Sequence, residues 1–129
     1  MVGSIERGLV AFVGAQRGDT DDDLAYVVGK IVNLRVFPDD RGKMSLALGD
    51  VGGALLLVSQ FTLFGDVRRG NRPSFTEAMA PDEARSMIDR AAALARVSVR
   101  VETGRFGADM QVYVDNDGPV TILLDSHSR

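Results

Sequence analysis

The sequence predicts an α/β (or α+β) fold, a single domain over residues 1–129 with a mixed β-sheet in barrel-like layers and two main helices. Three observations predict it. Apolar, β-rich runs alternate with two stripes of helical period. No repeat, low-complexity segment or linker divides the chain. The composition, 45% hydrophobic and 26% charged over 129 residues, suits one core.

Gly8 to Val13 reads as a buried strand, closed by Gly14. Asp19-Thr20-Asp21-Asp22-Asp23 then supplies a cap and an acidic first turn, where carboxylates meet the free N–H groups and dipole of a helix start. Leu24, Val27, Val28, Ile31 and Leu34 follow at spacings of three and four, the stripe of an amphipathic helix. Arg35 to Phe37 is a short strand, Pro38 to Gly42 a turn, and Met44 to Leu48 a half-buried strand. Ala54 to Leu63 is the strongest strand, and its unbroken Leu/Val run predicts cover on both faces. Gly65 to Pro81 is a long loop, a length that in a compact domain commonly carries function. Pro81-Asp82-Glu83 opens a second helix through about Ala95, with Met87, Ala91 and Leu94 on one stripe. Val97 to Val101, Met110 to Val114 and Val120 to Leu124 read as closing strands. Asp125 to Arg129 reads as a frayed tail.

Composition narrows the chemistry. A formal charge of −3 argues against broad nonspecific nucleic-acid binding but permits a local basic patch. With no cysteine there is no disulfide, thiolate nucleophile or thiolate metal site. No apolar run reaches the length of a membrane span, and Met1 to Arg7 lacks the features of a signal peptide. The expected location is cytoplasmic. The acidic run at Asp19–Asp23 is explained by helix capping, so no metal and no cofactor are expected. The single histidine, His127, lies in the polar tail, where a disordered surface residue is the expectation and a Ser/Thr-His-acid triad is disfavoured.

Two segments resist explanation by packing alone. Ser59-Gln60-Phe61-Thr62-Leu63 puts small polar groups where a buried strand emerges. Thr62, then Ser59, is a candidate nucleophile, but a hydroxyl is weak without a base. Backbone N–H groups around Phe61 and Thr62 offer the other route, stabilisation of a developing oxyanion. Gln60 can bond either substrate or backbone. Asn116-Asp117-Gly118-Pro119-Val120-Thr121 sets a Gly-Pro pair between β-rich stretches and, on composition, is an ordinary turn shaped by Asn116. Phe61, Phe106 and Met110 serve either as core or as pocket lining. Lys43, Arg68, Arg69 and Arg72 serve either as solvated cations or as phosphate contacts.

Together the two segments resemble the paired signature of the D-aminoacyl-tRNA deacylases. The resemblance extends to Gly42-Lys43-Met44 and to Thr103–Met110, and runs from about Val2 to Leu124. It implies hydrolysis of the ester bond of D-aminoacyl-tRNA, with no cofactor, by backbone and RNA groups, a ribose hydroxyl helping to organise water. Ser59, Gln60, Phe61 and Thr62 would form the catalytic segment. Gly118, Pro119, Phe106 and Met110 would bind the substrate, and Lys43, Arg68, Arg69 and Arg72 the tRNA acceptor end. It further implies a homodimer with active sites at the subunit interface, where a cis Gly118–Pro119 bond from one subunit enters the site of the other. Its carbonyls would hold the substrate ammonium, and its backbone would reject an L side chain by clash. Family members usually begin with a further strand bearing Gln-Arg-Val, which this chain is expected to lack; Ser45 replaces the Asn that usually follows Gly-Lys-Met. The alternatives are a noncatalytic aminoacyl-adenosine or nucleotide-binding dimeric module and a structural dimerisation domain.

Overall fold

The apolar run Ala54–Ser59 becomes the middle strand of a parallel sheet in the computed structural model, which describes all residues from Met1 to Arg129. The elements in chain order are β1 (Gly8–Val13), α1 (Asp21–Asn33), β2 (Phe37–Pro38), β3 (Met44–Leu46), β4 (Ala54–Ser59), α2 (Pro81–Arg96) and β5 (Arg100–Thr103). Sheet order is β1-β4-β5, with Gly8 beside Ala54 and Ala54 beside Arg100; β2 and β3 form a separate antiparallel pair. Leu55 and Leu57 face the main core together with Val28 and Ile31 of α1, Ile88, Ala91, Ala92 and Ala95 of α2, and Val101 of β5. Ala54 and Val58, on the opposite side of the strand, are buried too. This is the two-faced cover that the run predicts, because strand neighbours alternate sides.

Helix starts follow the predicted chemistry. The Asp23 carboxylate accepts the Thr20 N–H at 2.8 Å, closing the first turn of α1. Pro81 opens α2, where a missing N–H costs no helical bond.

Several expectations are corrected. The strand expected over Ala54–Leu63 ends at Ser59, and the one over Met44–Leu48 at Leu46, each followed by a 3-10 turn. Met110–Val114 and Val120–Leu124 are not strands, and Val112, Tyr113, Val114, Ile122 and Leu123 are exposed. Their β-branched and aromatic content expresses a preference for a pleated, half-buried surface, and no strand of this chain pairs with them. The Val97–Val101 strand starts instead at Arg100, because the Val97, Ser98 and Val99 N–H groups still donate to carbonyls at the end of α2. The tail is not frayed: Ser126–Ser128 form a 3-10 turn capped by Asp125, Ser126 is buried, and His127 is ordered against Asp19.

Candidate active site

Beyond Ser59 the chain leaves the sheet and turns once, as a 3-10 turn over Phe61–Phe64. The Gln60 N–H donates to the Val13 carbonyl at 2.8 Å, which ties this exit to the end of β1. Gly14 approaches so closely that a Cβ there would lie 2.8 Å from both the Gln60 carbonyl oxygen and the Phe64 ring. The sequence signals this contact only as a glycine directly after a strand.

Phe61 and Thr62 open the turn, so no carbonyl within it receives their N–H groups. Both residues are exposed. Two adjacent backbone donors of this kind can take up charge developing on an oxygen. The Thr62 hydroxyl accepts from Gln60 Nε2, and no carboxylate or imidazole bonds to it. The geometry therefore supplies no base to activate Thr62 as a nucleophile. The Phe61 ring stacks edge-on against Phe75, centroids 5.1 Å apart at 67°. It is 57% exposed, so here it is surface rather than core. Phe75 is a partner that the sequence reading leaves unremarked within the long loop.

Gly118–Pro119 lies on an exposed arm, and its peptide bond is cis. Asn116 latches the turn: its Oδ1 accepts the Val120 N–H at 3.1 Å, and its Nδ2 donates to Thr121 Oγ1 at 3.2 Å. Gly118 has φ +124°, a conformation that L side chains rarely adopt, and a Cβ there would lie 2.8 Å from Val120 Cγ2. No hydrogen bond, ion pair or ring contact joins this turn to Ser59–Thr62 within one chain. Phe106 and Met110 sit at the arm's root. Phe106 packs against the main core with the Arg85 guanidinium 5.1 Å over its ring. The Met110 sulfur accepts the Arg105 N–H at 3.3 Å.

The basic residues divide. Arg68 is committed to Asp66 by two bonds of 3.0 and 2.8 Å. The guanidinium's hydrogen bonds hold the Asp66 carboxyl down to about 2. Arg69 and Arg72 are exposed and form no ion pair. Lys43 is exposed in the β2–β3 turn, where its N–H and that of Arg41 donate to Asp39. The Ser45 hydroxyl, bonded to the same carboxylate at 2.7 Å, is the main cause of a lowered Asp39 pKa.

Only one set of side chains gathers ligand-type atoms as a metal site would: Asp19, Asp23 and His127, within 4.8 Å of one another at the start of α1. Each carboxylate is already engaged. Asp19 accepts the Gln16 N–H and His127 Nε2, and Asp23 accepts the Thr20 N–H. Two open concavities lie away from the motifs. One, of about 550 Å³, is lined by Ser4–Arg7, Gly52–Ala54 and Arg100. The other, of about 440 Å³, is lined by Asp19, Met79 and the first turns of α2.

The chain as a whole is similar to known proteins. The family model for D-Tyr-tRNA(Tyr) deacylase matches residues 1–125. A D-aminoacyl-tRNA deacylase of Sorangium cellulosum is 63% identical over 128 residues, 98% of this chain and 85% of the relative. One of Kosmotoga olearia is 54% identical over 129 residues, 100% of this chain and 87% of the relative. Among solved structures, the c-Myc DNA unwinding element binding protein superposes with a TM-score of 0.86 at 42% identity, covering 92% of this chain and 81% of that one. A probable eukaryotic D-amino acid tRNA deacylase shares the fold, with a TM-score of 0.71 at 20% identity over 81% of this chain and 77% of its own.

Proposed function

The chain belongs to the D-Tyr-tRNA(Tyr) deacylase family, and from that membership we infer that it hydrolyses the ester bond of D-aminoacyl-tRNA, releasing D-amino acid and free tRNA. The observation that carries this reading is 63% identity to a deacylase over a span that takes in nearly every residue, both motifs included. The noncatalytic module is not favoured, since the relatives are named for deacylation.

In this reading water attacks the ester carbonyl. The Phe61 and Thr62 N–H groups take the oxyanion, and the C–O bond to the terminal ribose then breaks, the proton going to the ribose oxygen. Positioned donors that need not reorganise stabilise such a transition state strongly. The neighbouring ribose hydroxyl orders the attacking water. Ser59 and Gln60 shape the turn. The Gly118–Pro119 carbonyls hold the ammonium, and a D side chain points away from this backbone while an L side chain meets it. Phe106 and Met110 root that arm. Arg69, Arg72 and Lys43 meet acceptor-end phosphates; Arg68, held by Asp66, orders their loop.

Two features support a homodimer with composite sites. Within one chain no hydrogen bond, ion pair or ring contact links the two motifs. The apolar groups Phe61, Leu63, Val67, Tyr113 and Leu123 lie exposed on the turn, its loop and the arm, 89% exposed in the case of Leu123. Large apolar groups left open on both motifs support a partner surface that covers them. No helix is long and apolar enough to cross a membrane, and a tRNA substrate supports a cytoplasmic location. We take the chain as one deacylase-like domain.

The test is hydrolysis of D- and L-tyrosyl-tRNA by the purified protein. Turnover of the D form with the L form spared is expected; no turnover of either by a folded protein would overturn the reading. Because the chemistry rests on backbone groups, Thr62→Ala is expected to slow single-turnover hydrolysis by no more than about tenfold, the scale of one lost hydrogen bond. A complete loss of chemistry, with an acyl-Thr62 species trapped in the wild type, would show covalent catalysis instead.

A further inference from the structure

The arm that carries Gly118–Pro119 is held mainly at its ends. Between Met110 and Leu124 its side-chain hydrogen bonds are local: Tyr113 to Gln111, and Asn116 to Val120 and Thr121. At the root, Phe106 and Met110 fix it to the body. At the far end, Leu124 packs against the main core and the chain enters the Ser126–Ser128 turn. That turn docks on the first turn of α1. His127 Nε2 lies 2.7 Å from Asp19 Oδ1 and 4.0 Å from Asp23 Oδ1. Arg129 Nη2 lies 2.9 Å from Asp22 and 3.5 Å from Asp23, and its guanidinium covers the Tyr26 ring at 4.6 Å. Ser126, the first residue of the turn, is buried.

We propose that the C-terminal turn is a clamp in which His127 and Arg129, docked on the acidic start of α1, act as positioning residues for the Gly118–Pro119 arm. The consequence for substrate rests on the deacylase reading above; the clamp itself does not. The Asp19 carboxylate is oriented for this task, since its other oxygen accepts the Gln16 N–H at 2.8 Å. The Asp125 carboxylate shapes the turn from within by accepting the His127 N–H at 2.9 Å.

The clamp responds to pH through one group. The charges that face His127 are Asp19 and Asp23 across the contact, Asp125 within its own turn, and Arg129, which shares Asp23. The hydrogen bond that His127 donates to Asp19 is the largest cause that raises the His127 pKa above 6.5. A raised folded-state value means that the docked form holds the proton more tightly than the free form does. The contribution is therefore fully present below the ordinary histidine value of about 6.5, and is lost as pH rises through the higher docked value. Of the groups in the clamp, it is the His127 imidazole whose charge this window follows.

The chain has one histidine, so its titration is a single assignable proton resonance. The experiment follows the backbone amide resonances of Gly118 and Val120 from pH 5.5 to 8.5 in wild type, His127→Arg and His127→Gln. The expected result is that both amides shift with the His127 midpoint in wild type, hold their low-pH positions in His127→Arg, and sit at the high-pH positions throughout in His127→Gln. Arm amides that ignore the histidine midpoint would overturn the clamp. In parallel, KM for D-tyrosyl-tRNA should rise about two- to fivefold across the midpoint in wild type, the scale of an exposed ion pair, with kcat steady and the Arg variant flat. A flat wild-type KM alongside moving amides would overturn the link from clamp to substrate. Absence of turnover in every variant would count against the deacylase reading, while the amide shifts would still decide the clamp.

Discussion

Gly14→Ala is expected to slow deacylation about a hundredfold in a protein that still folds, since a displacement of about 1 Å in a positioned site costs that much. The cause is local. A Cβ at residue 14 would lie 2.8 Å from the Gln60 carbonyl oxygen and 2.8 Å from the Phe64 ring. Contacts that short force something to shift, and the Gln60 carbonyl is backbone, so it cannot swing away as the end of a flexible side chain does. Gln60 stands directly before Phe61 and Thr62, whose N–H groups are the proposed oxyanion donors. Moving the Gln60 peptide moves them. Gly14 itself follows β1 and is only partly buried, so the two helices and the core around Leu55 and Leu57 are left intact. The measurement is the single-turnover rate on D-tyrosyl-tRNA beside the circular dichroism of the same sample. A folded Gly14→Ala protein that cleaves at the wild-type rate would remove these amides from the mechanism.

Gly14 also shows where the sequence stops being readable. β1 is legible to the residue, Gly8–Val13, because a continuous apolar run ends at a glycine. Both helices are legible because caps and apolar spacing agree. The turn at Phe61–Phe64 is not. Thr62 and Leu63 extend the β-like pattern of the run, and only tertiary contact with Gly14 and Val13 shows where pairing ends. The arm fails for a related reason. Residues 110–114 and 120–124 have strand composition, but a strand is made by pairing and no strand pairs with them here. The tail fails in the opposite sense. Its polar composition reads as fraying, yet His127 and Arg129 find their partners among acidic residues about a hundred positions earlier in the chain, where spacing carries no signal. The proposed site was legible only as two separate motifs. That Arg68 is spent on Asp66 while Arg69 and Arg72 remain unpaired was not, because adjacent arginines look alike until their partners are known.

A last prediction decides whether the two motifs meet across subunits. Gly118→Ala is expected to cut turnover of D-tyrosyl-tRNA by about tenfold or more, since holding a side chain in a sparsely populated backbone region costs about 1–3 kcal/mol. Gly118 sits at φ +124°, and its new Cβ would press on Val120, which Asn116 pins in place. The arm would relax by changing the turn that presents the Gly118 and Pro119 carbonyls. Gly14→Ala spoils the turn and Gly118→Ala spoils the arm, so each homodimer is impaired at both of its sites. Mixing the two variants under conditions of subunit exchange separates the arrangements. If the arm of one copy serves the turn of the other, every mixed dimer holds one site with an intact turn and an intact arm, and one site with neither. In a symmetric pairing half the dimers are mixed, so activity should recover to about a quarter of wild type. If arm and turn come from the same copy, no mixed dimer holds an intact site and the mixture stays as inactive as its parents. Recovery must also depend on exchange: the same two variants mixed without dissociation should show none. A mixture that fails to recover after exchange, with dimers demonstrated by sedimentation, would place arm and turn in one subunit and end the composite-site proposal.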